Sequence, residues 1–172
     1  MQTDFTASEP EFQIREANPE DFDRIESIYS RARRFMRETG NENQWINGYP
    51  SREDVIADIE ARCLYVCVAS NGEIAGVFFF REGNDNTYDV IYEGEWLNDE
   101  PYGVVHRLAS SGIYKGVADA CFRWCRDRCE NIRVDTHRDN SIMQSVFRKN
   151  GFVPCGIIYI RNGSERIAFQ SV

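Results

Sequence analysis

The sequence lacks the features that mark membrane and secreted proteins. No stretch approaches the roughly 18 uninterrupted apolar residues of a membrane span. Residues 1–4 carry neither the basic nor the apolar segment of a secretory signal. Prolines number only 5 of 172 residues, whereas 42% of residues are hydrophobic and 13% aromatic, which excludes wholesale disorder. We therefore expect a folded cytoplasmic protein.

Positive charge is also scarce. The chain has 20 Lys and Arg residues against 28 Asp and Glu, a net charge of -8. This sign disfavours nucleic acid and anionic membranes as partners. The imbalance is uneven, because residues 1–100 hold 9 basic and 22 acidic residues, whereas residues 101–172 hold 11 basic and 6 acidic residues. The second part can therefore meet a small polyanion.

The six cysteines include no C-x-x-C pair. Cys121, Cys125 and Cys129 recur every four residues, which makes one stripe on a helix. Structural zinc sites usually combine close-spaced Cys or Cys and His ligands, so this spacing does not favour a metal site. We expect no metal, and we expect these thiols to pack as small hydrophobic side chains.

Hydrophobic periodicity predicts the order β-α-α-β-β-(β)-β-α-β-α-β-β, a mixed α/β (α+β) domain around one sheet. Residues 1–11 are polar and acidic and predict a flexible N-terminal tail before a domain at 12–172. The predicted strands cover residues 12–15, 64–69, 74–80, 88–92, 102–109, 132–136, 152–160 and 166–170. The predicted helices cover residues 52–61, 115–129 and 141–149, after a first helix that Asn18 caps and that ends near Gly40.

One candidate for chemistry is the glycine-containing segment after the strand at 102–109. Gly112 and Gly116 lie between that strand and the next predicted helix, with Lys115 beside them. Backbone amides and a helix N-terminus in this arrangement can wrap an anionic phosphate. A plain tight turn explains the same residues, so both interpretations stand for this segment alone.

A second pattern is more specific. Residues 140–152 have the sequence N-x-x-M-x-x-V-F-x-K-x-G-F, and residues 135–144 have D-T-H-x-D-N-x-x-M-Q. With these motifs the chain resembles the GNAT superfamily of acetyl-CoA-dependent N-acetyltransferases over residues 12–172. The resemblance implies a twisted, mostly antiparallel mixed sheet of about 6–7 strands flanked by about 4 helices, with splayed fourth and fifth strands. It also implies direct acetyl transfer from acetyl-CoA to a primary amine of a small molecule or peptide.

The resemblance assigns the cofactor contacts. The pyrophosphate pattern Q/R-x-x-G-x-G/A falls on residues 113–118, where Ile113 replaces the usual Gln or Arg. Phe147 stands where the family often has a tyrosine that protonates the CoA thiolate, so another group or water must do so. The residues implied to meet CoA are Leu108, Ala109, Gly112, Tyr114, Lys115, Gly116, Val117, Ala118, Asn140, Phe147 and Lys149.

A base must deprotonate the amine before it attacks. His106, on the presumed fourth strand, is the first candidate, and an inward histidine with a purely structural role is the alternative. His137, after the fifth strand, is the second candidate. Asp99 and Glu100 could act through water, although acidic loops are usually only solvated.

Three loop aromatics could line the acceptor pocket, which the resemblance locates near them. These are Trp45, Tyr49 and Trp96, with Glu100 nearby, and a hydrophobic cluster under the loops explains the aromatics equally well. The acidic first part of the chain predicts a cationic acceptor. Two other hypotheses stay open: a catalytically silent acyl-CoA-binding module, and an enzyme whose N-terminal part mainly forms a homodimer.

Overall fold

Seven strands form one sheet in the computed structural model, which describes residues 11–172. The strands are β1 (Gln13–Glu16), β2 (Leu64–Val68), β3 (Ile74–Glu82), β4 (Gly103–Ser110), β5 (Ile132–Thr136), β6 (Val153–Tyr159) and β7 (Glu165–Ser171). Their spatial order is β1-β2-β3-β4-β5-β7-β6. Every neighbouring pair is antiparallel except β4 and β5, which are parallel.

Four helices accompany the sheet: α1 (Phe22–Glu38), α2 (Arg52–Glu60), α3 (Val117–Arg126) and α4 (Ser141–Lys149). A short 3-10 turn precedes α1, with Pro19 at its first position. The α2 helix begins at a capping box, in which Ser51 and Asp54 each accept a hydrogen bond from the other's backbone amide. No helix in residues 11–172 is long and apolar enough to cross a membrane.

The two faces of the sheet carry separate hydrophobic clusters. Along β3, Val77 and Phe79 belong to the cluster with α1 and α2, whereas Phe78 and Phe80 belong to the cluster with α3 and α4. Successive residues of a strand point to opposite faces, so this strand is buried on both sides. Cys121 is fully buried in the second cluster, as is Cys125, which confirms the predicted packing.

Strands β4 and β5 separate soon after they meet. They pair only at Gly103 with Ile132 and at Val104 with Arg133, although both strands continue beyond these residues. Past this point β5 pairs only with β7. The predicted splay of the fourth and fifth strands is confirmed, and it opens the middle of the sheet.

A β-bulge lies in β4 beside this opening. Val77 pairs with Ala109 and Phe79 with His106, so β4 has one residue more than β3 over this stretch. Arg107 lies within the extra stretch and has a φ of 51°, which few non-glycine residues adopt. The bulge therefore redirects β4 where the strands part.

The predicted element order is confirmed except for the strand at 88–92. The chain there forms a 3-10 turn (Asn86–Tyr88), and Tyr92 makes only an isolated bridge to Ile157. Asp85 causes the difference, because its carboxylate accepts a hydrogen bond from the Thr87 amide and starts a turn. The tail predicted for residues 1–11 lies outside the described residues apart from the last of them.

Candidate active site

The gap between β4 and β5 leads into a cavity of about 630 Å³. Its walls come from β4, the end of β5, α4, the segment between α1 and α2, and the β6–β7 hairpin. The lining residues include Gln44, Trp45, Tyr49, Asp54, Arg81, Asp85, His106, Arg107, Leu108, Asp135, Thr136, Asn140, Phe147, Arg161 and Arg166. The cavity is thus lined by aromatic groups and by charges of both signs.

His106 lies in this wall between two carboxylates. Its Nε2 atom is 2.8 Å from Oδ2 of Asp85, and its Nδ1 atom is 3.9 Å from Oδ2 of Asp135. Burial raises the pKa of Asp85, but His106 and the Thr87 hydrogen bonds outweigh burial and hold that pKa well below its usual range. An ionised Asp85 favours the imidazole tautomer with its proton on Nε2, so that Nδ1 keeps its lone pair.

Asp135 is fixed by a tyrosine. The hydroxyl of Tyr88 donates to Oδ2 of Asp135 at 2.6 Å. Burial and the charge of Asp135 raise the pKa of Tyr88 far above its usual value, so the phenol stays protonated and keeps donating. The Tyr88 hydroxyl therefore holds the Asp135 carboxylate beside the His106 imidazole.

Arg107 holds the bulge with both its side chain and its backbone. The guanidinium donates to both carboxylate oxygens of Asp58, at 2.9 and 3.0 Å, and to the Tyr49 hydroxyl at 2.8 Å. Burial lowers the pKa of Arg107, but Tyr49 and Asp58 outweigh burial and raise it. The backbone carbonyl of Arg107 accepts from the Tyr29 hydroxyl at 2.9 Å. These contacts fix the unusual backbone beside the cavity.

Asn140 joins the start of α4 to the segment after α1. Its side-chain oxygen accepts from the Met143 amide at 3.0 Å and caps the helix. Its Nδ2 donates to Oε1 of Gln44 at 2.9 Å, and the Thr136 hydroxyl donates to the same oxygen at 3.3 Å. The side-chain oxygen of Gln44 therefore ties α4 and β5 to the far wall.

The start of α3 is suited to an anion. Gly116 is the N-cap residue, in the left-handed region with a φ of 80°, and no side chain caps the helix. A Cβ at Gly116 would meet no atom within 4 Å, so this residue borders open space. Amides of a first helical turn have no partner inside the helix. This end of α3 can accept a pyrophosphate through its backbone.

Side chains near that turn differ in what they contact. Lys115 is exposed in the glycine segment. Tyr114 donates to Oε2 of Glu73 at 2.7 Å, so its hydroxyl is engaged by the β2–β3 hairpin. Lys149 is 2.8 Å from Oδ2 of Asp119 in the first turn of α3. Lys115 is therefore the predicted lysine whose surroundings best suit a phosphate.

Phe147 is buried and lines the cavity. It packs against the rings of Phe122, Phe152 and Phe169 at centroid distances of 5.1 to 6.0 Å. A hydrocarbon ring can contact an apolar ligand arm but has no proton to give. Leu108, from β4, lines the same cavity.

The predicted acceptor residues separate into two groups. Trp45 and Tyr49 line the cavity, and their rings meet edge to face at 6.2 Å. Trp96 is instead held by its Nε1–H donated to the Tyr88 carbonyl at 3.1 Å and by the Arg133 guanidinium 4.2 Å from its ring centroid. Neither Trp96 nor the exposed Glu100 is among the lining residues.

His137 also lies outside the cavity lining. Its Nδ1 accepts the backbone N–H of Asp139 at 3.0 Å. Burial and the charge of Arg166 lower the pKa of His137, which keeps the ring neutral. These contacts do not favour His137 over His106 as the general base.

The charged residues that line this cavity and were not predicted from the sequence include Asp85, Asp135, Arg107 and Arg166. They lie in a turn, at the end of β5, in the bulge and in β7. Asp135 is the first residue of the motif at residues 135–144, which assigned it no role, and the other three lie outside both motifs. Among residues 11–172, no group of three or more His, Cys, Asp or Glu side chains is arranged to hold a metal ion.

Comparison with known proteins agrees with this geometry. The model of the Acetyltransferase (GNAT) family matches residues 22–152. The chain therefore belongs to the GNAT acetyltransferase family, whose chemistry is acyl transfer from acetyl-CoA. The resemblance noted from the two motifs is thus confirmed. A comparison with curated proteins gives no match.

Solved structures agree with the family and the fold. A GNAT acetyltransferase from Streptococcus agalactiae is 33% identical, with a TM-score of 0.85 over 94% of this chain and 95% of that one. One from Listeria monocytogenes is 20% identical, with a TM-score of 0.68 over 93% and 94%. A phosphinothricin acetyltransferase from Sinorhizobium meliloti, solved in complex with AcCoA, is 14% identical, with a TM-score of 0.61 over 92% and 86%.

Proposed function

We propose that this protein transfers an acetyl group from acetyl-CoA to a primary amine of a small molecule or peptide, directly within a ternary complex. The observation that carries the proposal is the pairing of His106 with an ionised Asp85 in the wall of the cavity. A histidine oriented by a carboxylate is a recurring form of general base. Direct transfer forms no covalent acyl-enzyme intermediate, so the mechanism needs no nucleophilic side chain in the cavity.

Two parts of the structure suit the cosubstrate. The uncapped first turn of α3, with Gly116 and Lys115, would hold the pyrophosphate. Asn140 would meet the pantetheine arm, and Leu108 and Phe147 would pack against it. Acetyl-CoA supplies the activated thioester, and a backbone amide at the β4 bulge would polarise its carbonyl. The Sinorhizobium meliloti structure of similar fold was solved in complex with AcCoA, which supports acetyl-CoA as the cosubstrate.

His106 would remove the proton that the amine must lose. An ordinary alkyl ammonium has a pKa near 10, so little of it is neutral at pH 7. Nδ1 of His106 has the lone pair to take that proton, while Asp85 stabilises the imidazolium that results. Asp135, 3.9 Å from Nδ1, would attract the cationic amine toward the base. Phe147 cannot protonate the departing thiolate, so we assign that proton to water.

A thiol-release screen tests the proposal. The protein is incubated with acetyl-CoA and a broad panel of amines, and free CoA is measured with a thiol reagent. We expect at least one amine to release CoA well above the rate without acceptor. If acetyl-CoA binds but no amine releases CoA, the protein is the silent acyl-CoA-binding module that the phenylalanine at position 147 also permits.

A further inference from the structure

Arg166 is a buried cation in the wall of the proposed acceptor pocket. It lies in β7 with 4% of its surface exposed, yet it is among the cavity-lining residues. The other basic residues of this wall are exposed or half-buried. A buried charge needs a specific partner, so the contacts of this guanidinium decide what it can bind.

All the hydrogen-bond partners of Arg166 are neutral oxygens. Its Nη1 donates to the Ser164 hydroxyl and to the Glu165 carbonyl, and its Nη2 donates to the Gln44 carbonyl at 3.0 Å. These bonds use three of the five N–H groups of a guanidinium. The neighbouring carboxylate of Glu165 forms an ion pair with Arg138 instead.

No carboxylate within residues 11–172 lies at ion-pair distance from Arg166. Burial lowers the pKa of Arg166, and the charge of Asp135 offsets only part of that effect. The contrast with Arg107 is direct, because Arg107 has the bidentate carboxylate of Asp58. An uncompensated buried cation destabilises the fold unless an anion joins it.

We propose that Arg166 binds the carboxylate, or an equivalent oxyanion, of an amino-acid-like acceptor. The proposal rests on the proposed function and names the substrate class of the same cavity. A guanidinium presents parallel N–H groups that match a carboxylate. Asp135 lies near enough to act electrostatically on Arg166 and is 3.9 Å from the His106 ring. The acceptor amine would therefore lie toward His106 and its carboxylate toward Arg166.

This arrangement refines the expectation of a cationic acceptor. The lining carboxylates already have partners, since Asp54 belongs to the α2 capping box, Asp85 contacts His106 and Asp135 accepts from Tyr88. Arg166, by contrast, is a buried lining cation that has no carboxylate partner among the described residues. A cationic amino group combined with an anionic group fits this distribution better than a purely cationic molecule.

Matched acceptor pairs test the proposal. The standard α-amino acids and their carboxamides are compared as acceptors with the unaltered protein and with Arg166→Gln. We expect the preferred amino acid to exceed its carboxamide by about tenfold or more in kcat/KM. Arg166→Gln should remove that preference mainly by raising KM for the amino acid. The kcat/KM for the carboxamide and the Kd for CoA should stay within about threefold of their values in the unaltered protein. Arg166→Lys keeps the positive charge but loses the parallel N–H groups of the guanidinium, so it should retain part of the preference.

Two further measurements keep the outcomes separate. Arg133→Gln removes another buried arginine, from β5 and outside the cavity lining, and should leave the preference intact. Thermal stabilisation by each amino acid in the presence of CoA reports binding without turnover. If an amino acid stabilises the protein and Arg166→Gln abolishes that stabilisation, this inference is supported even when no amine is acetylated. The absence of acetylation would then refute only the proposed function. Equal use of acids and amides, or a weakened CoA affinity in Arg166→Gln, would overturn this inference.

Discussion

The Nε2 atom of His106 lies 2.8 Å from Oδ2 of Asp85, although 21 residues separate them in the chain. His106 comes from β4, and Asp85 comes from the turn after β3. The other ring nitrogen faces Asp135 at the end of β5. Three separate segments thus converge on one imidazole, which gives the proposed base both an orienting carboxylate and an electrostatic partner.

Replacement of this base should stop turnover without releasing the cosubstrate. We expect His106→Gln to lower kcat by roughly 10²–10⁴-fold, the usual contribution of general base catalysis. The Kd for CoA should change little, because the turn proposed to bind the pyrophosphate is formed by other residues. The measurement is thiol release at saturating amine, with CoA titrated separately by calorimetry.

His137→Gln is the matched comparison, since it alters the other histidine of the chain. It should leave kcat within about twofold, because His137 lies outside the cavity lining. If His137→Gln loses activity and His106→Gln keeps it, the base is the one after β5. A kcat unaffected by either change would remove histidine from the mechanism.

Asp85→Asn should destabilise the fold at neutral pH. The folded pKa of Asp85 lies below the ordinary value of about 3.9, so the ionised carboxylate stabilises the protein above about pH 4. That stabilisation is lost as the pH falls toward the folded pKa. We expect a loss of roughly 1.5–3 kcal/mol at pH 7, the usual net value for a hydrogen bond to a charged group.

Urea unfolding at several pH values checks this expectation. The difference in the free energy of unfolding between the parent and Asp85→Asn should shrink as the pH falls below about 4. Asp99→Asn, at an exposed carboxylate in the same acidic part of the chain, should show almost no difference at any pH. A pH-independent loss in Asp85→Asn would mean that packing rather than charge explains it.

The sequence predicted local features of the site better than its long-range contacts. The cap formed by Asn140 and the turn at Gly116 depend on a few consecutive residues, so their patterns could be recognised. The contact of Asp85 with His106 depends on how β3 and β4 pair, which no short motif encodes. The prediction of a strand at 88–92 was also wrong because of a contact that the local pattern does not show. There the Asp85 side chain starts a turn, although the residues that follow favour a strand.

Substitutions of Asn140 can separate its cap from its proposed cofactor contact. Asn140→Ala should lose about 1 kcal/mol of stability and should also weaken CoA binding. Asn140→Asp keeps an oxygen for the Met143 amide but loses the Nδ2 donor that reaches Gln44. We expect Asn140→Asp to retain most of the stability while losing CoA affinity. If both variants bind CoA normally, Asn140 is only a helix cap.

Salt dependence can show whether Lys115 meets a phosphate. We expect Lys115→Ala to weaken CoA binding more at low ionic strength than at high, because dissolved salt screens the attraction between the ammonium and the phosphates. Arg128→Ala removes an exposed cation that stacks on Trp124, away from the glycine segment, and should leave the affinity unchanged at both salt concentrations. Equal CoA affinities of Lys115→Ala and the parent at low salt would leave the backbone amides of α3 as the pyrophosphate ligands without help from that lysine.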